Sequence, residues 1–114
     1  MVTRTHPRFA MQCPAVFRRE AEGQGDIINL SMGGCCLQVA EGEGDIRGIL
    51  TLHLQLPEHK QPLRVDAAHV RWKTAGKLGL RFLFLETHEL KRLDQYLGRL
   101  ASRTSPAIAA IRSS

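Results

Sequence analysis

Polar residues at one glycine-containing turn are the first groups in this sequence that could contact a ligand. Asn29 and Ser31 stand two positions apart between two strand-like runs, and Gly33-Gly34 follows them. Side chains two apart at the end of a strand lie on the same face, so we expect both to be presented to a ligand. Consecutive glycines have access to positive φ and let a planar group approach the backbone closely. Taken alone, the stretch also fits an ordinary hairpin turn, and it gains weight from two arginines upstream.

Arg4 and Arg8 belong to a short basic segment ahead of the first apolar run. Pro7 biases the preceding residue away from helical geometry, so we expect this segment to be an extended arm. Extended chain covers about 3.3 Å per residue, so the two Cα atoms could lie up to ~13 Å apart, which suits a ligand about one dinucleotide wide. The alternative interpretation is a frayed basic terminus.

Length and composition predict one small basic domain. The chain has 114 residues, with 16 Lys and Arg against 11 Asp and Glu, a net charge of +5 and a pI near 9.6. An anionic partner is therefore favoured. Three cysteines are an odd count, and the neighbours Cys35 and Cys36 would point to opposite faces of a strand, so we expect reduced thiols in a cytoplasmic protein.

Neither a membrane span nor a leader is expected. Charged residues and a proline precede the first apolar run, which is unlike a signal peptide or an anchor. A spanning helix needs about 18 consecutive apolar residues, and the sequence contains no such run.

Alternating apolar and polar residues predict six short strands, the pattern of a small antiparallel barrel. The predicted strands cover residues 9–19, 26–30, 35–39, 49–56, 63–73 and 78–84. The most regular alternation is Leu50, Leu52, Leu54 and Leu56, and Phe82 and Phe84 are expected in the core by the same pattern. Turns are expected at 21–25, 57–62 and 74–77, and the acidic glycine-rich loop at 41–45 should lie away from any anion site.

The period changes after the last predicted strand. Leu90, Leu93, Leu97 and Leu100 recur at helical spacing, which predicts an amphipathic helix from Thr87, its N-cap, to Leu100. We therefore predict a mostly β protein: a flexible arm at 1–8, a six-stranded antiparallel barrel with a C-terminal helix at 9–100, and a mobile tail at 101–114.

These motifs together resemble a known family. Arg4-x-x-x-Arg8, followed after a strand by Asn29-x-Ser31-x-x-Gly34, looks like the paired signature of PilZ domains, bacterial receptors for cyclic di-GMP. A later segment is similar to the last hairpin of that family, with Ala68-His69-Val70-Arg71-Trp72, Gly76 and Gly79-Leu80-Arg81-Phe82. The resemblance covers roughly residues 4–100 and implies a six-stranded barrel with a C-terminal helix, the architecture that the periodicity predicts independently.

The resemblance also implies roles for individual residues. Arg4 and Arg8 would close onto cyclic di-GMP from the arm, since arginine bonds bidentately to phosphate or to guanine O6 and N7 and also stacks on purines. Asn29 and Ser31 would bond a guanine edge or a phosphate, and Gly34 would keep the surface open.

Two further residues each have two possible interpretations. Trp72 matches a position where some members place a tryptophan beside a guanine, and the alternative is a half-buried barrel aromatic. Arg81 is either a ligand contact or an exposed strand arginine.

The sequence departs from the family pattern at two positions. Thr3 stands where many members have a basic residue, which leaves both a single cyclic di-GMP and a stacked pair open. Asn29 replaces the commoner Asp and removes a negative charge near two phosphates.

Catalytic and metal sites are not expected. The five histidines (6, 53, 59, 69 and 88) are scattered, and none stands at zinc-ligand spacing with Cys13, Cys35 or Cys36. No cofactor is implied and no phosphate-binding loop of the nucleoside triphosphatase type is present.

The expected function is a monomeric cytoplasmic receptor, not an enzyme, that relays cyclic di-GMP to a protein partner in control of motility or biofilm. One alternative is an adaptor of the same fold that binds no ligand and acts through protein contacts in pilus or motility assembly. A second is a basic barrel that binds single-stranded nucleic acid, for which more exposed aromatic residues than Trp72 would be expected.

Overall fold

The structure, a computed structural model, describes residues 7–40 and 46–113, with side-chain detail to residue 102. Its elements are β1 (Phe9–Arg18), β2 (Glu22–Leu30), β3 (Gly34–Val39), β4 (Ile49–Leu54), β5 (Leu63–Thr74), β6 (Lys77–Phe84) and α1 (Thr87–Ser113). Arg4, most of the predicted arm and the predicted acidic loop at 41–45 lie outside the described residues.

The six strands form a closed antiparallel barrel in the order β1-β2-β3-β6-β5-β4. β1 closes it by pairing with β2 on one side and with β4 on the other. The predicted fold class, a six-stranded antiparallel barrel with a C-terminal helix, is confirmed. β2 begins earlier than predicted because residues 22–25 pair with β1 instead of forming a turn.

The barrel interior is filled by the inward side chains of all six strands. Leu50, Leu52, Leu54 and Leu56 are all buried, as their alternation predicts. The predicted turn between β5 and β6 is also confirmed: Ala75 and Gly76 have φ of 49° and 78°. Two successive residues with positive φ match the twist of a two-residue hairpin.

A bulge in β2 decides which way the predicted site residues face. Ile27 pairs with Leu37, and Asn29 pairs with Cys36, so Ile28 is an extra residue opposite the same step of β3. A bulge shifts the alternation of side chains by one residue. Asn29 is therefore on the outer face of the barrel, while Leu30 next to it is fully buried in the core.

A second bulge lies in β6. Ala67 pairs with Phe84 and Ala68 with Phe82, which leaves Leu83 as the extra residue. Phe82 packs partly against the core, but Phe84 is 57% exposed and Leu83 50% exposed. The prediction that Phe84 belongs to the core is wrong, because simple alternation does not account for this bulge.

The helix α1 packs on the barrel through Leu93, Tyr96 and Leu97, which are buried. The Glu86 carbonyl accepts the first helical hydrogen bond, from the amide of Leu90. Glu86 is therefore the N-cap residue, and the prediction of Thr87 for this position is wrong. The helix continues past the predicted end at Leu100 to Ser113, through a segment rich in alanine, a strong helix former. The predicted mobility of residues 101–114 concerns motion and stays a prediction. Within the described part of the chain, no helix is both long and apolar enough to cross a bilayer.

Candidate functional site

Asn29 and Trp72, two of the predicted site residues, lie on the outer face of the barrel, where one row of paired residues crosses five strands. Ala10, Asn29, Cys36, Gly79 and Trp72 are successive cross-strand partners on β1, β2, β3, β6 and β5. We call these five residues the central row. Because directly paired residues share a face, side chains far apart in sequence are brought together here.

Arg8 and Asn29 lie at one end of the central row. Arg8, directly before β1, is exposed. Its Nη1 is 3.5 Å from the Asn29 Oδ1, which accepts this long hydrogen bond. The structure therefore brings together one arginine of the predicted arm and the amide of the predicted turn. The position of Arg4 relative to them lies outside the described residues.

Ser31 is placed differently from the sequence expectation. β2 ends at Leu30, so Ser31 enters the turn and does not share a strand face with Asn29; it is only 4% exposed. Its Oγ accepts the amides of Gly33 and Gly34, both at 3.2 Å, and donates to the Gly34 carbonyl at 3.2 Å. In the described structure this hydroxyl holds the turn that follows Asn29.

Gly34 is needed for close approach of two strands. It pairs with Arg81 of β6, and a Cβ at this position would lie 2.1 Å from the Leu80 carbonyl oxygen. The expected positive φ at Gly33-Gly34 is not present: the glycines with positive φ among the described residues are Gly48 and Gly76. The glycine is required for strand packing here rather than for backbone conformation.

Trp72 lies at the other end of the central row, over Gly79. A Cβ on Gly79 would lie 2.0 Å from Nε1 and 2.2 Å from Cε2 of the indole, so only glycine permits this arrangement. Trp72 is nevertheless 45% exposed. The indole is thus fixed against the sheet on one side and accessible on the other, which is the geometry of a stacking platform.

Cations flank the central row on β6. Lys77, Gly79 and Arg81 alternate along the strand, and both Lys77 and Arg81 are exposed. Arg81 connects the site to the rest of the sheet, because it pairs with Gly34 on one side and with His69 on the other. Together with Arg8, these groups give the outer face a positive field suited to an anion.

Cys36 lies in the central row, where sequence analysis did not place it. It is 3% exposed, yet it belongs to the outer central row, while its neighbour Cys35 is in the core cluster. The predicted opposite orientation of these thiols is confirmed. Burial raises the pKa of Cys36, against the opposing effect of Lys77 and Arg8. Only the strand register, which places Cys36 between Asn29 and Gly79, reveals its position.

The arrangement can bind an anionic ligand with flat rings, using an arginine fork, an amide, flanking cations and an exposed indole. Among the described residues, no group of three or more His, Cys, Asp or Glu side chains is placed to hold a metal ion.

The sequence matches the family model of the PilZ domain over residues 3–99. No curated protein matches it significantly.

Solved structures with the same fold include three that cover most of this chain. The inhibitor of motility MotI (DgrA) of Bacillus subtilis superposes with a TM-score of 0.76 at 22% identity, covering 90% of this chain and 53% of that one. The chain thus spans about half the length of that protein. The PilZ domain of CeSA from a cellulose-synthesizing bacterium gives a TM-score of 0.64 at 13% identity, covering 82% and 97% of the two chains. An uncharacterized protein of Legionella gives 0.60 at 18% identity, covering 86% and 97%.

Proposed function

Since the chain belongs to the PilZ domain family, a family of regulatory receptor domains for cyclic di-GMP rather than of enzymes, we propose that it binds cyclic di-GMP and passes the signal to a protein partner. Arg4, Arg8, Asn29, Ser31 and Gly34 of the family signature are all present in its sequence. The three free cysteines fit a protein of the reducing cytoplasm.

The observation that carries the proposal is the central row with its cations. Arg8 reaches Asn29 at one end, and the exposed indole of Trp72 lies at the other. Cyclic di-GMP presents two phosphates and two guanines. An arginine fork suits phosphate oxygens or a guanine edge, and an indole suits a guanine face.

The proposed division of roles follows from burial. Arg8, Asn29 and Trp72 have accessible polar or aromatic groups and contact the ligand directly, with Arg81 at the border of the site. Arg4 contacts it from the arm. Ser31 and Gly34 act through the turn: the buried hydroxyl holds the two glycine amides, and the missing Cβ lets β3 approach β6. In this mechanism the arm closes over the ligand and becomes ordered, and the partner detects the change.

The proposal is tested by isothermal titration of cyclic di-GMP into the full chain at physiological salt, with GTP and cyclic di-AMP as controls. We expect selective binding at micromolar affinity or tighter, and the stoichiometry distinguishes one ligand from a stacked pair. Absence of binding heat, together with unchanged amide spectra of the arm, would contradict the proposal.

Arg8→Ala is the variant that tests the site itself. Loss of charge-assisted bonds worth about 1.5–3 kcal/mol should weaken binding by at least about tenfold. The matched control is Arg18→Ala at the other end of β1, whose exposed guanidinium pairs with Glu22 at 2.9 Å. Equal affinity of the two variants would remove Arg8 from the site.

The second candidate is an adaptor that acts through protein contacts without cyclic di-GMP. The observation in its favour is the exposure of Leu83 and Phe84, together with the likeness in fold to a motility inhibitor. Partner binding that is the same with and without cyclic di-GMP would favour this candidate.

A further inference from the structure

Three large apolar side chains are exposed on the sheet beside the candidate ligand site. Ile49 is 55% exposed, Leu83 50% and Phe84 57%. Ala67, the cross-strand partner of Phe84, is half-buried and stands two residues from His69, the partner of Ile49. We call Ile49, Ala67, Leu83 and Phe84 the apolar patch. Large apolar side chains exposed on neighbouring strands of a small domain are typical of an interaction site.

The bulge in β6 creates this patch. In a regular strand without the bulge at Leu83, alternation from Phe82 would direct Phe84 inward, whereas the observed register pairs Phe84 with Ala67 on the outer face. Bulges interrupt the hydrogen-bond ladder and redirect side chains, and they are common next to functional sites. The exposure of Phe84 therefore follows from a specific backbone feature and is not a loose end of the strand.

The patch has a basic rim. On one side, Ile49 pairs with His69 and His69 pairs with Arg81. On the other side, Phe84 lines a surface hollow with residues at the start of α1: Glu86, Thr87, His88 and Lys91.

Among its described lining residues, the hollow contains one acid, Glu86, whose carboxylate lies 3.5 Å from the His88 ring. Lys91 and Arg81 carry two positive charges against this single negative one, so the field at the rim is net positive. The first amides of α1 add partial positive charge at the hollow. An occupant with carboxylates around an apolar centre is complementary to this surface.

We propose that the apolar patch and its basic rim bind an acidic amphipathic segment of a partner protein. The segment would place apolar side chains over Leu83 and Phe84 and carboxylates beside Arg81 and Lys91. A second copy of this chain fits less well, because two basic rims would meet in a protein of net charge +5.

The test is an amide NMR titration of the full chain without cyclic di-GMP, so that it does not depend on ligand binding. The probe is a short synthetic peptide with leucine and phenylalanine between glutamates. One control peptide has lysine in place of glutamate, and vesicles of phosphatidylglycerol serve as the membrane control. We expect the acidic peptide to shift the amides of the patch and of the start of α1, and the other two probes to leave them unchanged.

Variants separate this surface from the ligand site. Phe84→Ser and Lys91→Glu should each weaken peptide binding by at least about tenfold, with unchanged affinity for cyclic di-GMP. Trp72→Ser, which removes an exposed aromatic residue outside the patch, should keep peptide binding. Peptide shifts elsewhere on the barrel, equal binding of the lysine peptide, or vesicle binding that depends on Phe84 would each overturn the proposal.

Discussion

At the scale of single residues, the family signature divides into groups that face solvent and groups that hold the turn. Asn29 is half-buried on the outer face and accepts from Arg8. Ser31, two positions later, is buried and bonded to both following glycines. A loss of ligand affinity in a Ser31 variant would thus report a distorted turn as well as any lost contact.

Gly34→Ala should destabilise the fold. The new Cβ would lie 2.1 Å from the Leu80 carbonyl oxygen, and a backbone atom cannot move aside as a flexible side chain can. We expect a loss of about 1–3 kcal/mol in the free energy of unfolding, measured by urea denaturation.

The matched control is Gly98→Ala in α1, where a Cβ meets no atom within 4 Å. Alanine is favoured over glycine inside a helix by about 0.5–1 kcal/mol, so this variant should be more stable than the parent. Equal stability of the two alanine variants would show that β3 and β6 tolerate a wider separation.

At the scale of elements, a side-chain cluster attaches α1 to the turn between β4 and β5. Arg92 donates to the carbonyls of Gln61 and Pro62 at 2.6 and 3.1 Å, and lies 3.1 Å from His59 Nδ1. Arg99 lies 3.0 Å from Nε2 of the same ring, and Tyr96 contacts it edge-on at 5.7 Å. His59 is therefore placed between two guanidinium groups.

Stability should fall in mild acid because of His59. Burial, Arg92 and Arg99 lower the pKa of His59, against the opposing effect of Glu58. In the unfolded chain His59 has the ordinary histidine pKa of about 6.5, so it binds a proton more readily there than in the folded chain. The contribution of neutral His59 to the free energy of unfolding is fully present above the pKa of the unfolded chain. It is lost as the pH falls from there towards the lower pKa of the folded chain.

The measurement is the free energy of unfolding from pH 8 to pH 5, together with the ring titration of His59 by NMR. His59→Gln is the comparison, and its stability should depend less on pH over this range. A His59 ring that titrates at or above its ordinary pKa would contradict the prediction.

Glu89 fixes the start of α1 to β5. Glu89 is 5% exposed, and its carboxylate accepts the Arg64 amide at 2.7 Å and pairs with Arg92 at 2.8 Å. Glu89→Ala leaves a part-buried donor without its acceptor, so we expect a loss of about 1–3 kcal/mol in unfolding free energy. Glu86→Ala removes an exposed carboxylate of the neighbouring turn and should cost less than about 0.5 kcal/mol. Equal effects of the two variants in urea denaturation would show that Glu89 contributes no more than a surface charge.

The elements could be predicted from the sequence because alternation and helical spacing are local properties. The three leucines of β4, with Leu56 after it, and the two-residue turn at Ala75-Gly76 are examples. The bulges at Ile28 and Leu83 could not be predicted, since an extra residue in one strand is defined only by the strand paired with it. The same limitation hid Cys36 and led to the wrong placement of Phe84 in the core. Asn29 was singled out by its residue type, while its outward direction depends on the bulge.

At the scale of the whole molecule, ligand binding should stabilise the entire barrel. Arg8 immediately precedes β1, and β1 closes the barrel by pairing with both β2 and β4. A ligand that binds only the folded state adds about 2.7 kcal/mol to the unfolding free energy at one hundred times its dissociation constant. We expect this increment with cyclic di-GMP in urea denaturation.

Arg8→Ala provides the comparison at the same ligand concentration. A tenfold weaker affinity should reduce the increment to about 1.4 kcal/mol. An increment that is the same with cyclic di-AMP, or the same in this variant, would point to a general effect of anions on a basic protein.

Cys13 and Cys35 are inside the barrel, whereas Cys36 belongs to the outer central row. The three thiols should therefore become reactive in different events. Burial and Asp26 raise the pKa of Cys13 to about 11, and burial also raises the pKa of Cys35, so both thiols should react with an alkylating reagent only when the barrel opens. Cys36 lies on the outer face between its strand partners Asn29 and Gly79, so we expect it to react without opening of the barrel. The order in which mass spectrometry finds the thiols labelled would therefore time the opening of the site separately from the unfolding of the chain, with no probe attached.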